Sequence, residues 1–403
     1  MMILLKIAKF IKKCAKYRKG VQSMKNLHPE TACIHGYKHK TDKTGAIAVP
    51  IFQSSTFIHE DINVNSGYCY SRINNPTREA AECTVAMLEG AEEGFAFSTG
   101  MAAIATVMEL IEPGSHVIAT EDLFGGSTRL FNNICTRRNL TFDYVDTSNI
   151  AAITTLIKAN TRAIYLETPT NPMINITDIA AVKEAVKDLD IIIIVDNTFL
   201  TPYFQNPLAL GADIVVHSGT KYLGGHSDTL AGFAVLNDPA LREKLSAMHT
   251  SIGACLAPFD SFLIIRGIKT LALRMEKAQS NAITLANWLK THPKIKRVHY
   301  AGLPEHKGHD IQQKQARGFG AMIAFETDTV ETAHKILRNV KIISYAESLG
   351  CINSLITIPA LCTHADVPPQ ERHARGIYDT LMRFSVGIEN AQDLIADLEQ
   401  AMM

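Results

Sequence analysis

Ile191-Ile-Ile-Ile-Val-Asp196-Asn-Thr-Phe199 runs apolar through Val195 and then turns abruptly polar. An apolar run of that length with no alternation reads as a strand buried on both faces, the signature of a parallel sheet covered by helices. Ile214-Val-Val-His217-Ser-Gly-Thr-Lys221 repeats the form, an apolar run ending in small hydroxyl residues and a lysine. Working outward, further strand candidates lie at 95–97, 116–119, 142–145, 163–167 and 233–236, with helical patterns at 101–111, 150–158 and 179–187. Repeated β-α units imply an open, mostly parallel α/β sheet. After about residue 263 the texture changes. A long helical pattern at 274–290 leads to strand candidates at 297–300, 322–325, 342–346, 355–358 and 381–386, and a closing helix at 391–401. This reads as a smaller α+β domain. Residues 26–73, rich in His, Thr and Asn, read as an extended arm.

The 403 residues carry 40 Lys+Arg against 40 Asp+Glu. Zero net charge argues against bulk nucleic-acid binding, which relies on a basic surface to displace counterions. No apolar run of about 18 residues marks a membrane span. Eight thinly spread cysteines without a Cys-x-x-Cys pair indicate neither a zinc ribbon nor a disulfide framework, and a reducing cytoplasm is the natural compartment. His35, His39, His306 and His309 show no metal-ligand spacing supported by acids and read as surface or loop residues, and Cys255 and Cys351 as packed small hydrophobes. The neutrality hides an asymmetry. Residues 1–25 hold eight basic side chains and no acid, leaving the rest at 32 against 40, a net of −8. Ile3, Leu4, Ile7 and Ile11 fall at helical spacing there, as in a basic amphipathic helix, but the segment reads first as a dispensable extension because Met24 is an alternative start.

In an open α/β sheet, ligands gather at the carboxyl ends of the strands. Five such ends carry unusual residues: Ser98-Thr-Gly100-Met101, Glu121-Asp-Leu-Phe124-Gly-Gly126, Glu167-Thr-Pro-Thr-Asn171-Pro172, Asp196-Asn-Thr198-Phe199 and His217-Ser218-Gly-Thr220-Lys221. A strand-end Asp is usually a cap and a strand-end Lys a solvated charge. Together they fit one ligand, a planar, anionic, aldehyde-bearing cofactor. Lys221 can form a Schiff base while neighbouring hydroxyls hold a phosphate. Asp196 can keep a pyridine nitrogen protonated, which makes pyridoxal 5'-phosphate (PLP) an electron sink.

With these motifs stand Tyr70-Ser-Arg72-Ile-Asn-Asn-Pro76-Thr-Arg78, Glu347-Ser348-Leu-Gly350 and Arg383-Phe-Ser-Val-Gly-Ile-Glu389. Over roughly residues 26–403 the chain resembles the Cys/Met-metabolism family of PLP-dependent enzymes. The resemblance implies the fold type I, aspartate aminotransferase-like architecture, with 74–263 as the PLP-binding large domain, 264–403 as the C-terminal small domain, and usually a homotetramer built as a dimer of dimers. It implies that Lys221 is the Schiff-base lysine and Asp196, with Thr198 beside it, the pyridinium partner. Gly100, Met101, Ser218 and Thr220 resemble the phosphate cradle. Tyr70 and Arg72 resemble residues reaching the phosphate from a neighbouring subunit. Asn171 matches a residue near the cofactor's 3′-oxygen and the substrate carboxylate; Arg383 with Ser348 matches an α-carboxylate clamp, and Thr363 a nearby substrate contact.

The same resemblance implies a cystathionine γ-synthase or γ-lyase type reaction, with a β-lyase or an O-acetylhomoserine sulfhydrylase as alternatives within the family and a non-catalytic PLP-binding scaffold as an alternative outside it. Glu347 favours the γ-type enzymes, since a carboxylate suits a distal ammonium; Arg129 matches an arginine able to hold a distal carboxylate. Gly126 stands where methionine γ-lyases carry a reactive Cys. Three departures matter: Phe124 replaces the family Tyr and lacks its hydroxyl, though the ring can still stack; Cys362-Thr363-His364-Ala365 stands where relatives often read Gln-Thr-His-Ala; and Gly350-Cys351 stands for Gly-Gly.

Overall fold

The computed structural model describes residues 27–36, 44–62, 64–365 and 367–403. The basic segment and His39 lie outside them. Seven strands build the large sheet: β1 (Glu93–Phe97), β2 (His116–Thr120), β3 (Thr141–Val145), β4 (Thr161–Glu167), β5 (Ile192–Asp196), β6 (Ile214–Ser218) and β7 (Gly232–Leu236). Their order is β1-β7-β6-β5-β4-β2-β3. All neighbours are parallel except β7, which runs antiparallel to both β1 and β6. That reversal was not legible as such in the sequence. Its cause is local: residues 219–231 contain no helix, so no crossover carries the chain back for a parallel return.

Successive side chains of a strand point to opposite faces, and β5 shows why its run is apolar throughout. Ile193 and Val195 join one buried cluster with Ile164, Leu166, Val215 and Phe233, whereas Ile194 joins a second with Tyr165, Ile214 and Val216. Helices Gly100–Met108, Gly125–Asn133, Ile150–Thr155 and Ile179–Ala185 follow strands β1 to β4 in turn.

Helix Leu271–Thr291 leads into the small sheet, made of β8 (Ile295–His299), β9 (Met322–Thr327), β10 (Ser344–Tyr345), β11 (Leu355–Thr357) and β12 (Leu381–Ser385), ordered β8-β9-β12-β11-β10. All its pairs are antiparallel except β10 with β11. The strand expected at 342–346 contracts to two residues. The arm holds a short helix, Pro29–His35, and a ribbon pairing His59–Asp61 with Val64–Asn65. Helix Pro76–Glu89 escaped the sequence reading because it is buried on nearly all sides and has no clean apolar stripe. Its Arg78 and Glu82 pair at 3.3 Å, and Asn75 Oδ1 caps its first turn by accepting Thr77 N–H at 3.0 Å. His306 and His309 are also less peripheral than expected, since they contact the carbonyls of Ile174 and Ala301 at 2.8 Å each.

β7 passes close beneath the start of helix Gly100–Met108. A Cβ on Gly232 would run into the Thr99 carbonyl, and one on Gly100 would lie 2.9 Å from Ser218 Cβ. Gly232→Ala should therefore push β7 off that helix start and destabilise the fold by about 1–3 kcal/mol, the usual scale of overpacking. Denaturant unfolding of the variant against the wild type checks this, and an unchanged midpoint would show that the helix start yields freely.

Candidate active site

The carboxyl ends of β4, β5 and β6 converge. At the end of β5, Asp196 Oδ1 accepts from Thr198 N–H at 3.0 Å and from the Thr198 hydroxyl at 2.5 Å. Thr198 Oγ1 accepts in turn from Ser218 N–H at 2.9 Å, so a relay ties the end of β6 to Asp196. Tyr165 on β4 donates to Asp196 Oδ2 at 3.4 Å. Burial raises the Asp196 carboxyl above its ordinary value, and the Thr198 donors oppose that rise. Helix Gly100–Met108 begins beside Ser218, capped by Thr99 Oγ1, which accepts Ala102 N–H at 3.0 Å. Free N–H groups at its first turn face the hydroxyl-rich strand end, an arrangement suited to an anion. The Thr220 hydroxyl contacts the Ala231 backbone, holding the loop after β6 against the start of β7.

Lys221 follows that loop. Its Nζ donates to Ser348 Oγ at 2.6 Å. Ser348 adopts φ +87°, a region an L-residue occupies at a cost, and its carbonyl accepts from Arg383 Nη2 at 2.8 Å. Arg383 Nη1 donates to Asn171 Oδ1 at 3.2 Å. Four residues far apart in sequence thus form one chain: Lys221, Ser348, Arg383, Asn171. Burial lowers the Lys221 ammonium to about 8, helped by the neighbouring Arg383 charge.

Around this core, a Cβ on Gly126 would strike the Phe124 ring and lie 3.0 Å from Met101 Sδ, so Phe124 and Met101 flank one space. Phe124 N–H donates to Glu167 Oε2 at 2.9 Å. Gly125 packs against the Thr363 carbonyl, with Arg129 alongside. His364 is buried and pushed down to about 4, first by desolvation and then by Arg383, Arg375, Arg372 and Arg129. The sequence reading missed this cluster of guanidinium groups, because only the fold gathers them. A cavity of about 880 Å³ opens beside the site, lined by Ser98, Thr220, Glu347, Ser348, Cys255 and Cys351 among others. The two cysteines therefore face a cavity rather than serving only as packing. Tyr70 and Arg72 are not joined to this group. Arg72 Nη1 donates to Thr250 O at 2.5 Å, and its guanidinium lies over the Tyr70 ring at 5.4 Å.

Residues 30–403 match the Cys/Met metabolism PLP-dependent enzyme family. The chain belongs to this family. It is 47% identical over 373 residues to cystathionine gamma-lyase of Bacillus subtilis (strain 168), covering 93% of this chain and 98% of that protein. It is 48% identical over 382 residues to cystathionine beta-lyase of Coxiella burnetii, covering 94% and 98%. The crystal structure of cystathionine gamma-lyase from Lactobacillus plantarum complexed with L-serine superposes with a TM-score of 0.91 at 46% identity, covering 93% of this chain and 98% of that one. The fold is therefore the fold type I arrangement, and the chain is a PLP-dependent carbon–sulfur enzyme.

The donor set fits PLP. A helix start with hydroxyl residues beside it matches a phosphate, a buried carboxylate matches a pyridine nitrogen, and a lysine with a lowered proton affinity matches an aldehyde. The lysine makes a testable statement about the apo protein. Between pH about 8, the folded value, and 10.5, the ordinary value, the unfolded chain holds the Lys221 proton while the folded chain has released it, so this group's contribution to stability grows as pH rises. Across that window, apo wild type should gain stability relative to apo Lys221→Met, as read by denaturant unfolding at several pH values. Parallel profiles would refute the buried neutral amine.

Proposed function

We propose that this enzyme acts at the γ carbon–sulfur bond of cystathionine, cleaving it or forming it from an O-acylhomoserine and cysteine. The observation that carries the reading is Glu347. It lines the cavity immediately before Ser348, and its charge is felt at both Lys221 and Arg383. An exposed carboxylate there can receive a distal ammonium while Arg383 takes the α-carboxylate. Arg129, beside Gly125 and the Thr363 carbonyl, would take a distal carboxylate.

Bound PLP supplies the electron sink for carbanion chemistry next to the amino group. The residues of the chain do the rest. Asp196 holds the proton on the ring nitrogen. Arg383 and Asn171 orient the substrate carboxylate, and Ser348 Oγ keeps Lys221 Nζ aimed into the site. Lys221, with a proton affinity near neutrality, accepts and returns protons at Cα and Cβ. Phe124 contributes a ring surface and no hydroxyl, so that proton traffic falls on Lys221.

Tyr70 and Arg72 act on the phosphate of a second subunit, in a homo-oligomer assembled as a dimer of dimers. Support comes from Arg72, whose guanidinium donates to Thr250 O and lies over the Tyr70 ring and is not joined to the Lys221–Asn171 chain among the described residues. Cys33, Cys69, Cys135, Cys255, Cys351 and Cys362 are free thiols, in keeping with a cytoplasmic enzyme. A second reading, β-cleavage to homocysteine, pyruvate and ammonia, is favoured by relatives named cystathionine beta-lyase at 44–48% identity.

Product analysis separates the reactions. Cystathionine alone should give cysteine and 2-oxobutyrate, whereas homocysteine and pyruvate would replace this reading with β-cleavage; new cystathionine from cysteine and an O-acylhomoserine would mark the synthetic direction. Phe124→Tyr should raise kcat/KM with γ-substituted substrates, and no rise with any of them would clear the missing hydroxyl of limiting turnover. Mixing inactive Arg72→Ala with inactive Lys221→Ala should restore roughly a quarter of wild-type activity through hybrid dimers that keep one intact site. Zero recovery after verified subunit exchange would place Arg72 in its own subunit's site.

A further inference from the structure

Glu167 opens the strand-end motif Glu167-Thr-Pro-Thr-Asn171-Pro172 and has no part in the proposed chemistry. The structure puts it beside the group that governs the cofactor ring. Glu167 ends β4 and Asp196 ends β5, and the two are direct register partners in parallel strands. Their side chains therefore leave the same face of the sheet from backbones about 4.8 Å apart. Glu167 is 5% exposed. Burial of Glu167 and the neighbouring Asp196 carboxylate disfavour a second negative charge, so the pair shares one.

The hydrogen bonds decide which of the two carries it. Asp196 accepts three donors: Thr198 N–H, the Thr198 hydroxyl and the Tyr165 hydroxyl. The Thr198 hydroxyl is free to donate because its oxygen is occupied by Ser218 N–H. Glu167 receives one donor, Phe124 N–H, at Oε2. Of the other charged groups nearby, Asp122 and His217 favour the same division and Arg383 opposes it. Asp122, after β2, adds negative charge next to Glu167. Arg383, from β12, pulls the other way and lowers the Glu167 carboxyl, but it is the smallest of the causes there and donates to Asn171 and the Ser348 carbonyl rather than to Glu167. His217, on β6, acts on Asp196 and is itself paired with Glu89 at 2.7 Å. Burial raises the Glu167 carboxyl well above its ordinary value, with Asp196 the next cause.

We propose that Glu167 is a proton-bearing positioning residue: a neutral carboxylic acid that anchors the Phe124 N–H through one oxygen and leaves the negative charge of the pair on Asp196 for the ring nitrogen. The inference rests on the cofactor family and is independent of which carbon–sulfur bond the enzyme handles. It explains how position 124 keeps its ring at the cofactor, since the backbone of that residue, not its side chain, is tied to β4. It also explains how Asp196 stays ionised in a buried setting that disfavours charge.

Three measurements test it without a substrate. Glu167→Ala removes both the anchor oxygen and the proton, and should weaken PLP binding about tenfold. Glu167→Gln keeps a neutral group with an acceptor oxygen, and should restore binding to within about threefold of wild type. If Gln binds no better than Ala, the negative charge is what matters and the proposal fails. In the apo protein, the wild-type Glu167 proton is held by the folded state above pH about 5, where the unfolded chain has lost it. Wild type should therefore lose stability relative to Glu167→Gln as pH rises from there towards neutrality, and a flat difference would overturn the proposal. Should neither variant fold, infrared spectra of the wild-type holoenzyme with isotope-labelled glutamate give the answer. They should show a buried protonated carboxylic acid C=O band at neutral pH, and the absence of that band would refute the neutral acid.

Discussion

Arg383 is a full cation with almost no access to water: 2% exposed, and with no carboxylate in ion-pair contact among the described residues. Burying an unpaired charge costs several kcal/mol. Its donors here meet two neutral acceptors, Asn171 Oδ1 and the Ser348 carbonyl, which offset only part of that cost. Burial accordingly pulls the guanidinium down to about 10. The site is thus built with an unmet demand for an anion, which the substrate α-carboxylate of the proposed function would answer with paired, charge-assisted hydrogen bonds. The same contacts join the two sheets. Arg383 belongs to β12 of the small sheet, Asn171 follows β4 of the large one, and Ser348 also holds Lys221, so the proposed substrate clamp and the proposed Schiff-base lysine share one scaffold.

That scaffold explains otherwise unrelated local features. Ser348 is held at a left-handed φ because its hydroxyl and its carbonyl serve two different cations at once. Gly350 next to it also has positive φ, and a Cβ there would lie 2.8 Å from Tyr222 N, so the loop packs directly on the backbone that follows Lys221. Across the site, the antiparallel return of β7 brings Gly232 beneath the Thr99–Gly100 turn. The start of helix Gly100–Met108 is positioned by this backbone-to-backbone contact rather than by a side chain.

Parts of this were legible in the sequence and parts were not, for physical reasons. The unbroken apolar runs of β5 and β6 announced buried parallel strands, and the polar residues at their ends announced a ligand, because both signals are local. Asp196 and Lys221 lie where those signals put them. The reversal of β7 depends on the absence of a helix in 219–231, which a strand pattern does not reveal. Helix Pro76–Glu89 buries Arg78 and Glu82 against each other and so erases the amphipathic stripe that betrays a helix. The clamp between Asn171 and Arg383 joins residues 212 positions apart, and the guanidinium cluster around His364 is equally non-local. Glu167 stood in plain view, but its meaning depends on register, which decides that its neighbour is Asp196 and not the residue before it.

Register also gives the substitution at position 124 its place in the chemistry. Burial moves two groups in opposite directions, Lys221 downward and Glu167 upward, because desolvation disfavours the charged form of each. Environments that drive titratable groups apart in this way assign an acid and a base before any substrate arrives. A lysine that releases its proton near neutrality can act as the base without a phenol to assist it. A carboxylic acid that keeps its proton can hold the loop without adding charge. A tyrosine hydroxyl at position 124 would add a third proton-exchanging group to this pair. Phe124 lacks that group, and its ring can still offer a stacking surface, since its anchor is a backbone N–H that every residue but proline supplies. On the proposed assignments, phenylalanine at position 124 would alter the proton inventory of the site while leaving its backbone anchor on Glu167 in place.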